Sequence, residues 1–274
     1  CNSRQQPSHG FRRWLWLPTL LFGDGLLLAV ILMAMIMLHR FGITKTEATL
    51  YTSLLCLPLV LRPLLETVVT YFRGTTKVWI LSAEFISALS LCALAFILPT
   101  GYWLQGTLCF LMFFVIAGVF GSIAVERFYL ADTSPDNLAG RSLPTLFRSL
   151  AILFGIGICA TLAGNMEVVT RNIRYSWSFV VYVMAGAEFF LWLWHSVFLP
   201  GGRRVPAGMK SLKGVRFTDF KVSFMLLLRE KKSRLTLVMF FLFVLPEAFL
   251  ALMAPLFMVD AAHNGGLGLA PQEF

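Results

Sequence analysis

The chain has 274 residues, of which 58% are hydrophobic and 14% are charged, and its formal net charge is +9. Ordinary soluble domains carry about 25% charged residues, so this composition, with a mean hydropathy of +0.76, excludes a soluble enzyme or binding domain. Long apolar runs, rather than short segments of alternating polarity, indicate membrane helices and exclude a membrane β-barrel. We therefore predict an all-α integral membrane protein.

Seven apolar stretches are long enough, at about 20 residues each, to cross about 30 Å of hydrocarbon as helices. The predicted spans are 14–38, 48–72, 78–98, 106–130, 142–164, 177–199 and 235–258. With the N-terminus inside, the inner side holds 16 of the 23 lysines and arginines and the outer side holds four. The positive-inside rule therefore predicts a cytoplasmic N-terminus. The basic charge then reflects membrane topology and not a nucleic-acid partner.

The spacing of the spans divides the chain into three parts. Residues 1–199 form a six-helix transmembrane block, and a basic connector follows over 200–234. Within the connector, 218–232 is predicted to form an amphipathic helix on the cytoplasmic surface, with a disordered linker as the alternative. The last part, 235–274, holds the seventh span and the beginning of a further helix.

The first and seventh spans look like two copies of one segment. Each follows basic residues, carries one carboxylate, Asp24 or Glu247, and ends in a loop of the form Gly-[Ile/Leu]-x-x-x-Glu, at 42–47 and 268–273. Parallel internal repeats are typical of transporters built from two like halves, with the solute handled between them. We therefore expect this sequence to be the N-terminal part of a longer transporter, whose C-terminal half is the missing partner.

Three carboxylates are predicted at middle depth in the bilayer: Asp24, Glu247 and Glu188. Ionisable groups at this depth are costly and face a cavity or a partner, and a low dielectric favours the neutral form of a carboxyl group. They are candidates for proton coupling or substrate binding, with neutralisation by a structural partner as the alternative. Gly23 and Gly25 leave room for another backbone or a substrate beside Asp24.

A second group of charged residues lies nearer the cytoplasmic ends of spans two, four and five. Glu126 and Arg148 are predicted to form an ion pair across two helices, and the alternative roles of these charged residues are a gate that breaks during transport or static packing. Arg127 and Arg148 are candidate contacts for an anionic substrate. Arg62 and Glu66 stand one helical turn apart and are predicted to form a structural ion pair with each other or to hold a loop.

Motifs for other chemistry are absent from the sequence. It contains no nucleotide-binding loop, no metal-spaced Cys/His set and no nucleophile motif, and its four histidines are isolated along the chain. We therefore predict no enzymatic activity, no cofactor and no metal site. Glu84, early in span three, is expected only to interact favourably with the helix dipole. Transport energy would have to come from an ion gradient or from the solute's own gradient.

Several segments, in chain order, resemble AmpG-like permeases of the major facilitator superfamily. They are FGDGLLLAV in span one, GITKTEATLYTSLLCLPLVLRPL leading through span two, IAVERFYLA in span four, TLFR in span five, WHSVFLP after span six, and LPEAFL with GGLGLAPQEF around span seven. The resemblance places Asp24, Glu126 and Glu247 where that family has acidic residues.

The resemblance implies a fold and a function. The fold would be the superfamily's six-helix N-terminal bundle plus the first helix of the second bundle. The function would be proton-coupled uptake of a small solute, such as a cell-wall muropeptide, by alternating access across the bacterial inner membrane. The expected partners are the solute, protons and the lipid bilayer.

The chain departs from the family pattern in two places. Thr70 stands roughly where the superfamily usually has an Asp, and Glu126-Arg127 replaces the family's Asp-Gly. The alternative hypothesis is therefore a non-transporting membrane sensor or assembly protein on the same scaffold.

Overall fold

The computed structural model describes residues 9–62, 65, 66, 69, 75–132, 138–201, 229 and 231–273. The helices in this part of the chain are α1 (His9–Arg40), α2 (Lys45–Leu55), α3 (Leu57–Val60), α4 (Thr76–Ile97), α5 (Trp103–Asp132), α6 (Leu138–Ile152), α7 (Ala160–Thr170), α8 (Ile173–Phe198) and α9 (Lys231–Val259). A seven-residue π-helix, Leu153–Cys159, joins α6 to α7. No strand occurs among the described residues, so the all-α prediction is confirmed.

Five described helical segments are long and apolar enough to cross a membrane. They are Trp14–Arg40, Thr76–Ile97, Trp103–Leu130, Ser142–Thr170 and Ile173–Phe198. These segments coincide with the first, third, fourth, fifth and sixth predicted spans. Large apolar side chains on them, such as Phe96, Phe113 and Val197, are more than half exposed. Such exposure is informative because a soluble protein rarely tolerates many such groups, and it is the surface expected of a protein embedded in a membrane.

The second predicted span is interrupted. A capping box between Thr44 and Glu47 begins α2, the backbone turns at Cys56, and α3 starts directly after it. Pro58 accounts for the break, because proline has no N–H for the helix ladder and its ring clashes with the carbonyl four residues earlier. One unbroken helix is therefore the wrong prediction for the part of this span that the structure describes.

The predicted repeat is visible in the two loops of the form Gly-[Ile/Leu]-x-x-x-Glu. Both loop glycines, Gly42 and Gly268, have positive φ, 90° and 70° respectively. In both loops the glutamate carboxylate accepts a hydrogen bond from the backbone N–H three residues before it, which is one half of a capping box. The bonds run from Thr44 to Glu47 at 3.3 Å and from Ala270 to Glu273 at 2.8 Å. The two copies therefore share their local geometry as well as their sequence pattern.

The chain divides into two compact units, Cys1–Val205 with Leu269–Phe274 and Pro206–Gly268. In the second unit, α9 covers the seventh predicted span, 235–258, as one helix. The predicted surface helix over 218–232 lies outside the described residues, apart from helical residues at its C-terminal end.

Helix α1 is the central helix of the first unit. In the most apolar 18-residue stretch of α1, 78% is buried, against 28–50% in the corresponding stretches of the other four candidate spans. It packs against α2, α5, α6 and α8, while α4 packs against α5 and α8. A polar group halfway along α1 therefore lies in the interior of the bundle.

Contacts at the two ends of the first unit show that its spans alternate in direction. At one end, Arg40 at the end of α1 forms an ion pair with Glu167 near the end of α7. At the other end, Lys77 at the start of α4 donates to two carbonyls at the end of α8, and Trp194 near that end donates to the carbonyl of Leu15 at 2.8 Å. Helices α1, α4 and α7 therefore run opposite to α8, as expected for successive membrane spans.

Candidate functional site

A cavity in the middle of the first unit is lined by α1, α4, α5 and α8. Its polar lining consists of three carboxylates and two hydroxyls: Asp24, Glu84, Glu188, Ser87 and Ser122. The space that water-sized molecules can occupy is about 30 Å³, enough for roughly two waters at about 10–15 Å³ each. Three acidic side chains around so small a space make this acidic cavity the candidate functional site.

The three carboxylates lie well inside their helices. Asp24 is halfway along α1. At a rise of about 1.5 Å per residue, Glu84 lies roughly 12 Å from the start of α4 at Thr76, and Glu188 roughly 15 Å from the end of α8 at Phe198. The helix dipole acts within the first turn, so the expectation that Glu84 only complements the dipole is wrong. The structure instead brings Glu84 to the same cavity as the two predicted site residues.

Asp24 forms an ion pair with Arg148 of α6, whose Nε donates to Oδ2 at 2.5 Å. The Asp24 side chain is 2% exposed and that of Arg148 is 41% exposed. Gly25 permits this contact, because a Cβ at that position would lie 2.7 Å from the Cα of Arg148. The close approach of a second backbone beside Asp24 is therefore confirmed. Its other oxygen, Oδ1, has no hydrogen-bond partner among the described residues.

Glu84 belongs to a hydrogen-bonded chain that sequence reasoning missed. Its Oε1 lies 2.7 Å from Nδ1 of His195, and Nε2 of that fully buried ring lies 3.1 Å from Oγ1 of Thr19. Thr19 donates to the carbonyl of Trp16 at 3.0 Å. Since Thr19 gives its one proton to Trp16, Nε2 of His195 donates to the Thr19 hydroxyl, and the proton shared by Nδ1 and Oε1 can lie on either atom. The other oxygen of Glu84, Oε2, has no partner in the described part of the chain.

Glu188 contributes the third carboxylate, and it is the least compensated one. The residue is 5% exposed and lines the cavity, where it is close enough to Glu84 for the two charges to repel. Its carboxylate makes no hydrogen bond or ion pair with any described residue. Arg148 pairs with Asp24 and His195 is hydrogen-bonded to Glu84, which leaves Glu188 as the one carboxyl group of the three without a described partner.

The charged residues nearer the cytoplasmic ends pair differently from the prediction. Arg62 pairs with Glu126, and Arg127 pairs with Glu66 at 3.2 Å. The predicted Glu126–Arg148 pair is therefore wrong, and Arg62 and Glu66 pair across to α5 instead of with each other. Glu126 and Arg127 are neighbours on α5 and point in different directions, so each reaches a different residue of span two. Arg148 pairs with Asp24 instead, because a buried charge needs a partner most.

Two features complete the comparison with the sequence-based candidates. The side chain of Glu247 and the whole of Thr70 lie outside the described part of the structure. Across the described residues, no three His, Cys, Asp or Glu side chains are grouped so that they could hold a metal ion.

Comparisons with known proteins add no relative to this picture. No protein-family model, no curated protein and no solved structure matches the chain. The likeness to AmpG-like permeases thus stays a prediction based on the segments quoted above, and the function is argued from the acidic cavity.

Proposed function

We propose that this protein acts in secondary active transport and that a solute or coupling ion binds in the acidic cavity. The observation that carries the proposal is the convergence of Asp24, Glu84 and Glu188, from three membrane-crossing helices, on one small space. A charged side chain at the centre of a membrane helix costs about 2.5–3.5 kcal/mol, and such residues mark ion and substrate pathways.

The charges of the cavity suit binding and release. Asp24 is held by Arg148 and Glu84 by His195, while Glu188 has no partner among the described residues. The carboxyl group of Glu188 is free to take up and release a proton, or to bind a cation when it is ionised. Transport then requires that the cavity open alternately to the two sides of the membrane.

The same charges argue against an anion in this cavity. Arg148, which we predicted as an anion contact, has its Nε on Asp24, and Arg127 has its guanidinium on Glu66. The space for roughly two waters also requires the helices to separate before a larger solute enters. Uptake of a muropeptide with protons, a bacterial inner-membrane location and a cytoplasmic N-terminus remain the predictions drawn from the resemblance and from charge placement.

Transport is tested in liposomes that contain the purified chain and an internal pH-sensitive dye. A pH gradient is imposed, and either a cell-wall muropeptide or guanidinium, a permanently charged cation, is added outside. We expect one of the two solutes to drive proton movement above that in protein-free liposomes.

The matched variants are Glu188→Gln and Glu47→Gln. The first removes the ionisable carboxyl group without a described partner from the cavity and should abolish solute-driven proton movement. The second removes one charge far from the cavity, at a position where Gln also serves in a capping box, and should leave movement unchanged. No solute-driven movement with either solute would overturn the proposal. Retained specific binding without movement would instead favour the sensor alternative.

A further inference from the structure

The acidic cavity has acceptor oxygens without donors. Oδ1 of Asp24 and Oε2 of Glu84 are buried and have no hydrogen-bond partner within the described residues. The Asp24 side chain as a whole is only 2% exposed. Glu188 adds two more acceptor oxygens without a described donor. Buried polar groups are nearly always paired, so these atoms call for an occupant that donates hydrogen bonds.

Charge defines the occupant further. The ionisable groups around the cavity are Asp24 on α1, Glu84 on α4, Glu188 and His195 on α8, and Arg148 on α6. Helix α5 supplies no ionisable side chain to the lining and contributes the hydroxyl of Ser122. Among these groups Arg148 is the one permanent cation, and it faces three acidic side chains. A positively charged occupant therefore suits the cavity better than a neutral or an anionic one.

Size and hydrogen-bonding capacity define the class of cation. The space for roughly two waters fits one or two non-hydrogen atoms. An ammonium group has both the right size and several N–H donors, which can point to different carboxylates at once.

We propose that the acidic cavity binds a small cation of the ammonium class, ammonium itself or a short primary amine in its protonated form. Its N–H groups donate to Asp24 Oδ1, Glu84 Oε2 and the carboxylate of Glu188. This inference deepens the proposed function, on which it rests, by naming the chemical class that the transport site accepts.

The test is a binding experiment with the 274-residue chain in nanodiscs of phosphatidylcholine. Radiolabelled methylammonium is titrated at constant ionic strength, with sodium and tetramethylammonium as competitors that carry charge but no N–H donor. We expect saturable binding that either competitor displaces at least tenfold less well than unlabelled methylammonium. Glu188→Gln should weaken binding by roughly tenfold or more, because an acceptor that can carry a negative charge is replaced by a neutral amide oxygen.

The controls separate binding from folding and from transport. Glu47→Gln should bind like the parent chain, and circular dichroism checks that each variant is folded. Where Glu188→Gln does not fold, Glu84→Gln replaces it, since Gln still accepts from His195 while the charge is removed. No saturable binding to the folded parent chain, equal displacement by sodium, or unchanged binding in the cavity variant overturns the inference. Binding without solute-driven proton movement in liposomes overturns the transport proposal alone.

Discussion

Replacement of Gly25 by alanine tests whether close packing of α1 on α6 positions the ion pair at the acidic cavity. An ideal Cβ on Gly25 would lie 2.7 Å from the Cβ of Ala151, 2.7 Å from the Cα of Arg148 and 2.9 Å from the Arg148 carbonyl oxygen. Carbon atoms normally pack at about 3.5–4.0 Å, so the two helices would have to separate by about 1 Å. The contacted atoms are backbone and Cβ atoms, which no change of rotamer can move away.

The expected loss follows from two opposing effects. Overpacking costs about 1–3 kcal/mol, and a clash against backbone belongs at the upper end, near 3 kcal/mol. Alanine has a higher helix propensity than glycine by about 1 kcal/mol. The net destabilisation of Gly25→Ala is therefore about 2 kcal/mol, a roughly 30-fold fall in the folding equilibrium constant.

Gly186→Ala in α8 is the matched control, because nothing lies within 4 Å of a Cβ at that position. It should keep the propensity gain alone and be up to about 1 kcal/mol more stable than the parent chain. The measurement is equilibrium unfolding in mixed detergent micelles, followed by far-ultraviolet circular dichroism. If Gly25→Ala proves as stable as Gly186→Ala, then α1 and α6 do not pack as closely as the structure shows and the positioning argument fails.

Three further predictions concern the charges and the topology. Arg148→Met should cost about 3–5 kcal/mol in the same unfolding assay, because it leaves the buried carboxylate of Asp24 without its cation. The double variant with Asp24→Asn should recover part of this loss. If the effects of the two substitutions are additive, the ion pair is contradicted. His195→Phe should cost about 1–3 kcal/mol, because it leaves its carboxylate and hydroxyl partners unpaired in the interior, and an unfolding curve that coincides with the parent's would remove the proposed hydrogen-bonded chain. In a cysteine-free background, Gly101→Cys should react with a membrane-impermeant maleimide in intact cells and Gly201→Cys only after permeabilisation; the reverse labelling would invert the predicted orientation.

Much of the membrane architecture was predictable because it depends on local composition. A run of about 20 apolar residues must satisfy its own backbone hydrogen bonds in lipid and therefore forms a helix wherever it occurs. Five predicted spans appear as candidate membrane helices, and a single helix covers the seventh. The prediction of one continuous helix for the second span was wrong at Pro58. It rested on the apolar residues around Pro58, although a proline inside a helix removes a backbone hydrogen bond and breaks the helix.

The candidate site was predictable only in part. Depth along a helix follows from residue counting, and the structure has Asp24 and Glu188 well inside their helices, in the lining of the acidic cavity. The glycine beside Asp24 also signalled close backbone approach. Glu84 was misjudged because its importance lies in its contact with His195, 111 residues away, and no periodicity or motif links the two.

The sequence by itself therefore determined that this protein is helical, membrane-embedded and provided with acidic groups at mid-helix. Tertiary structure alone decided which charges meet: Arg148 lies on Asp24 and not on Glu126, and Glu188 is left without a described partner. The physical reason is the range of the interactions. Helix formation in lipid depends on neighbours within a few residues, whereas the strength of a buried ion pair depends on a few ångströms of separation between helices that are far apart in the chain.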